Sequence, residues 1–156
     1  MDEVLRPRVT PYDGAAVAAH LSGRADTFFA SLDRMRALCE AHDVRFVVVR
    51  QQAKSFHVPR GEITGVTYAE ERARVQRKLQ EAGRLEPPEA WFLAHAQLME
   101  RLPGWAAANE VPCVDGMAAL DARRDVLLSW VHLTPEGNGL LADALAARLV
   151  EFVCSP

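Results

Sequence analysis

Two short apolar runs constrain what this chain can fold into. Residues 44–50 read Val-Arg-Phe-Val-Val-Val-Arg, and residues 111–115 read Val-Pro-Cys-Val-Asp. The first run is β-branched and nearly continuous. That pattern predicts a strand covered on both faces in a parallel sheet. The second reads as a short buried strand ending in an acid, with Pro112 near its start, where a missing N–H donor is tolerated. Helical patterns surround them. Over 26–42, Asp26 or Thr27 can cap a stripe of Phe28, Phe29, Leu32, Met35, Leu38 and Cys39. Thr67 with Glu70 makes a capping-box pattern and opens a charged helix to about Ala82. After Pro87-Pro88, a helix over 89–102 carries Trp91, Phe92, Leu93, Ala96, Leu98 and Met99. Pro103-Gly104 is expected to kink or break it, with helix resuming over 105–109. A helical turn is expected over 117–120. Residues 1–25 read as irregular, punctuated by Pro7, Pro11, Gly14 and Gly23, with room for a short helix over 14–21.

The resulting order is helix, strand, helix, helix, strand, helix, which is the grammar of an α/β layered domain with parallel strands. The 156 residues fit one domain. Two strands alone, however, leave exposed edges and two apolar faces to cover. The sheet is therefore expected to be completed by an upstream segment, a partner chain, or strands that the pattern does not reveal.

A formal net charge of −3 excludes a broad electrostatic footprint for nucleic acid. The basic residues between Arg72 and Arg84 alternate with Glu70, Glu71 and Glu81, the signature of a solvated helix face. No apolar run approaches the roughly 20 residues of a membrane helix. Residues 1–10 lack the apolar core of a signal peptide. The three cysteines, Cys39, Cys113 and Cys154, are widely spaced in apolar stretches. They read as small buried hydrophobes in a reducing, cytoplasmic setting rather than as zinc ligands or a redox pair. His20, His42, His57 and His95 share no ligand spacing, so no metal and no cofactor is expected. The tryptophans and phenylalanines are expected to be core.

The chemistry concentrates in residues 129–138, Ser-Trp-Val-His-Leu-Thr-Pro-Glu-Gly-Asn. Thr134 is a natural N-cap, Pro135 fits the first helical position, and Glu136 suits the positive end of the helix dipole. The closing helix carries Leu140, Leu141, Ala144, Leu145, Leu149 and Phe152 as its stripe. His132 thus sits on a short loop pinned by the helix behind it, a suitable place for a general base. Arg50 and Gln51 end the first strand, and ligands bind outside the carboxyl ends of parallel strands, so both are candidates to line a substrate cleft. Ser55 follows that strand with Lys54 and His57 beside it, which offers a second place to look for a nucleophile.

The segment His132-Leu133-Thr134-Pro135-Glu136-Gly137 resembles the last motif block of the SGNH (GDSL-type) hydrolases, usually Asp-x-x-His-Leu-Thr-Pro-Glu-Gly. From about residue 26 to 153, the layout is similar to the C-terminal half of that family. The resemblance implies a three-layer α/β/α sandwich with a parallel sheet whose N-terminal strands are missing here. It implies an acyl-ester hydrolase working on a small-molecule ester, with His132 as the general base. The family's acid position is Ser129, which can accept a hydrogen bond but carries no charge. Losing that charge from a triad costs on the order of 10⁴ in rate. Asp125 or Asp115 are substitutes for it, and Asp121 is a weaker one. The family's Gly-Asp-Ser nucleophile block and its oxyanion glycine and asparagine have no counterpart. The expectation is a half-enzyme, inactive alone. The alternative is a degenerate, non-catalytic SGNH-like binding module.

Overall fold

The computed structural model describes residues 11–154. The expectations for residues 1–10 fall outside it, as does the side chain of Cys154. The fold is mixed α/β and dominated by helices. In chain order it runs β1 (Tyr12–Asp13), α1 (Gly14–Ala41), β2 (Val48–Arg50), α2 (Tyr68–Ala82), β3 (Arg84–Leu85), α3 (Pro87–Ala108), β4 (Cys113–Asp115), α4 (Gly116–Leu120) and α5 (Pro135–Cys154), with 3₁₀ segments at Arg60–Glu62 and Asp121–Val126. Among the described residues, no helix is long and apolar enough to cross a membrane.

The two apolar runs pair in parallel, Val48 with Cys113, Val49 with Val114 and Arg50 with Asp115. The ladder is entered by the Val48 N–H, which donates to the Pro112 carbonyl at 3.0 Å. Alternation along β2 then sends successive side chains to opposite faces. Val48 joins a core with Phe29 and Leu32 of α1 and Met99 and Leu102 of α3. Val49 faces α5, together with Gly116 and Leu141. A Cβ on Gly116 would lie 2.7 Å from the Arg50 carbonyl oxygen and 2.9 Å from Leu141 Cδ1. Only glycine lets the start of α4 pass this close to the Arg50 carbonyl. A second, antiparallel pair, β1 with β3, was not expected.

The N-terminal expectation needs correction. Residues 14–25 are not irregular; one 28-residue helix, α1, runs from Gly14 to Ala41. Asp13 starts it, its carboxylate accepting the Ala16 N–H at 2.8 Å. No proline interrupts the run. Gly23, which read as punctuation, is absorbed at a cost of about 1 kcal/mol relative to alanine. Of the predicted stripe, Phe29 and Leu32 are buried, whereas Met35 and Leu38 are 46% and 62% exposed.

Pro103 does not break α3, which continues to Ala108. A proline at this position withdraws the N–H that would bond the Met99 carbonyl. The Arg50 guanidinium supplies the missing donor, Nε to Met99 O at 3.0 Å. A tertiary contact thus replaces a helical one. The capping box at Thr67 and Glu70 forms as expected, and α2 ends on Gly83 in the left-handed conformation at φ 65°. Of the basic residues of α2, Arg74 and Arg77 are exposed, whereas Arg72 and Lys78 are half-buried and pair with Glu100 and Glu89 of α3. Phe29 and Phe92 are core, but Trp91 is 40% exposed and Trp105 only half-buried. Cys39 and Cys113 are free and half-buried rather than fully buried; burial pushes the Cys113 thiol up from its ordinary value.

Candidate active site

The segment 126–134 folds back on itself. Leu127 and Leu133 form an antiparallel bridge, the Thr134 N–H donates to Val126 O at 2.8 Å, and the Leu128 N–H donates to His132 O at 2.7 Å. Ser129 and His132 therefore stand at the tip of a closed loop. The Ser129 Oγ accepts the His132 backbone N–H at 3.3 Å and lies 2.5 Å from His132 Nδ1. His132 is exposed and Ser129 half-buried.

Local sequence explains why the loop ends where it does. Thr134 caps α5, its hydroxyl accepting the Gly137 N–H at 3.1 Å. A Cβ on Gly137 would sit 2.7 Å from Val126 Cγ2, 2.9 Å from Val126 Cβ and 3.2 Å from Leu133 Cβ. The first turn of α5 is therefore pressed against both ends of the loop. Glu136 pairs with Arg123 at 2.9 Å, tying the helix start to the segment before the loop.

A buried polar cluster anchors the other side. Lys54 donates its backbone N–H to Trp130 O at 3.0 Å and its Nζ to Leu127 O at 2.6 Å. Arg124 is fully buried. Its guanidinium donates to Gln52 Oε1 at 3.1 Å, Ala53 O at 2.6 Å and Thr67 O at 3.3 Å, and it forms an ion pair with the equally buried Glu71. Glu71 accepts the Ser55 N–H at 2.8 Å and also the Ser55 hydroxyl. One charge pair thereby joins residues 52–55, the start of α2 and the segment leading into the His132 loop. Trp130 completes the support, its ring packing edge-on against His95 with centroids 5.9 Å apart. The Tyr68 hydroxyl lies 2.8 Å from His95 Nδ1. Burial lowers the His95 pKa to about 4 and raises that of the Tyr68 phenol.

The other predicted residues lie elsewhere. Asp125 is held by Arg123, with Oδ1 to Nε at 3.2 Å. Asp115 caps α4 through the Met117 and Ala118 N–H groups and pairs with Arg50 at 2.7 Å. Asp121 accepts the Tyr68 N–H at 2.7 Å and Gln52 Nε2 at 3.2 Å. Ser55 is buried, and its hydroxyl is committed to Glu71, so it is a structural lock rather than an accessible nucleophile. Arg50 and Gln51, being adjacent, part to opposite faces of the sheet. Arg50 lines a polar cleft of about 280 Å³, and Gln51 an apolar cavity of about 240 Å³ walled partly by Val131 and Leu133, the neighbours of His132.

Sequence reasoning missed the roles of Gln52, Lys54, Glu71 and Arg124. Nothing in the sequence separates Arg124, which is buried, from its neighbour Arg123, which is not. For Glu71 a signal existed: it shares the 68, 71, 75 helical spacing with Tyr68 and Val75, the buried face of α2. Comparison with family models, with curated proteins and with solved structures finds no match for this chain.

Proposed function

We propose that this chain carries the base-bearing part of an SGNH-type acyl-ester hydrolase site. The observation that carries the reading is the Ser129–His132 contact at 2.5 Å, on a loop locked between Lys54 and the first turn of α5. With Nδ1 protonated, the imidazole donates to Ser129 Oγ and keeps its Nε2 lone pair for a proton. Ser129 then does the orienting work of the family's aspartate, without its charge. Nε2 would take the proton of a serine hydroxyl as that oxygen attacks an ester carbonyl, and return it to the leaving alcohol. The parallel pair supports the finer reading of the fold as part of a three-layer sandwich, because Val48 faces α1 and α3 while Val49 faces α5. The nucleophile block has no counterpart among the 156 residues. A polypeptide completing the sheet would supply it.

The test is labelling with a fluorophosphonate, a probe of activated serines. It is applied to the purified recombinant chain and to the protein recovered from its native cells. The expected result is no labelled serine in the recombinant chain and a labelled serine in the native material that disappears with His132→Ala. A His132-dependent label on the recombinant chain relocates the nucleophile to this chain, with Ser129 the first position to inspect. Native material with no His132-dependent label overturns the hydrolase reading and leaves the binding module, which the uncharged Ser129 favours.

A further inference from the structure

The polar cleft that holds Arg50 is separate from the His132 loop and does not depend on its chemistry. It opens at the carboxyl ends of β2 and β4, where α2, α3 and α4 converge, and encloses about 280 Å³. That size suits a ligand smaller than a typical drug molecule. Its polar wall consists of matched pairs. The Arg50 Nη1 donates to Asp115 Oδ2 at 2.7 Å, and Arg72 pairs with Glu100 across from α2 to α3. Asp121 adds a third carboxylate, of which Oδ1 is committed to Tyr68 and Gln52. Small apolar side chains, among them Ala96 and Met117, form the remaining wall.

This lining discriminates among ligand classes. Two guanidiniums face three carboxylates, so an anion such as phosphate gains no net attraction and would have to break an existing pair to bind. Yet each pair leaves capacity unused: Arg50 and Arg72 each keep an Nη2 group, and Glu100 and Asp121 each keep an oxygen, with no partner among the described residues. Donors and acceptors therefore share the cleft wall, and the one charge outside the two ion pairs, on Asp121, already accepts the Tyr68 N–H and the Gln52 amide. A hydroxyl group both donates and accepts. Several hydroxyls on a compact ring satisfy such a wall, while the C–H faces of that ring lie on the alanine and methionine side. We infer that this cleft binds a neutral polyhydroxylated ring, a single sugar or cyclitol unit.

The test is an amide NMR titration of the full chain with glucose, galactose, N-acetylglucosamine and myo-inositol, run beside inorganic phosphate and putrescine. At least one neutral ring is expected to shift the Ala69 and Ala118 amides, saturating in roughly the millimolar range typical of so small a ligand. Arg72→Gln and Glu100→Gln, both at the partly exposed rim, are each expected to weaken that binding at least about fivefold. Their thermal melts should match the parent, which separates lost contacts from lost folding. Shifts with phosphate or putrescine but not with any ring overturn the assignment. So does the absence of shifts with every probe, or ring binding that both variants leave unchanged.

Discussion

Replacing Arg124 by methionine tests the claim that one buried charge pair organises the His132 loop. The substitution keeps apolar bulk and removes five hydrogen-bonding relationships, to Gln52, Ala53, Val66, Thr67 and Glu71. Glu71 stays behind as a carboxylate with no exposure to water, held among the described residues only by Ser55. Breaking a buried pair from one side costs about 3–5 kcal/mol, because the remaining charge is uncompensated. For a chain of this size each kcal/mol lowers the melting temperature by roughly 2–4 °C, so a drop of about 6–20 °C is expected. Glu71→Gln in the same background removes the stranded charge yet retains an acceptor for Ser55. The double variant should therefore be more stable than Arg124→Met alone by about 1–3 kcal/mol. Urea unfolding at pH 7 measures Arg124→Met, Glu71→Gln and the double variant beside the parent chain. Amide exchange at Leu128 and Thr134 should also accelerate in Arg124→Met, since their hydrogen bonds close the loop. A cost below about 1 kcal/mol, or strict additivity of the two substitutions, would refute the reasoning.

Three further outcomes are expected. Ser129→Asp should raise His132-dependent fluorophosphonate labelling of the native material by at least tenfold, with about 10⁴ as the ceiling, because it returns the charge that steadies an imidazolium; an unchanged rate would show that Ser129 does not stand at an acid position. His95, with its folded pKa depressed by burial to about 4, contributes stability that is fully present above its unfolded value near 6.5. That stability is lost as pH falls toward 4, at up to about 1.4 kcal/mol per pH unit, and His95→Gln should flatten this slope in urea melts at pH 7, 5.5 and 4.5. Gly137→Ala should cost about 1–3 kcal/mol through its contact with Val126 Cβ, a stiff position that cannot swing aside, whereas Gly139→Ala, in the same helix with nothing within 4 Å, should stabilise by about 0.5–1 kcal/mol in the same melts.

Local rules made much of this molecule readable in advance. Capping chemistry at Thr67 and Thr134 placed two helix starts, because a cap is satisfied within three or four residues. The β-branched run at 44–50 and the run ending in Val114-Asp115 announced strands, of which only Val48–Arg50 and Cys113–Asp115 form, with Val44 exposed; the helices between them implied parallel pairing. The pairing of Ser129 with His132 entered through the resemblance to the SGNH motif block, whose acid position stands three residues before the histidine. What local rules could not settle depended on atoms distant in the chain. Pro103 continues a helix because Arg50, 53 positions earlier, donates to the carbonyl that the proline abandons. Gly23 sits inside α1 because the packing of Phe29 and Leu32 outweighs its entropic cost. Arg124 and Glu71 look like surface charge in sequence, and only the convergence of α2, residues 52–55 and the segment before the loop buries them together. Periodicity shows which face of an element is apolar, but burial of a charge is decided by whether its partner arrives from elsewhere in the fold.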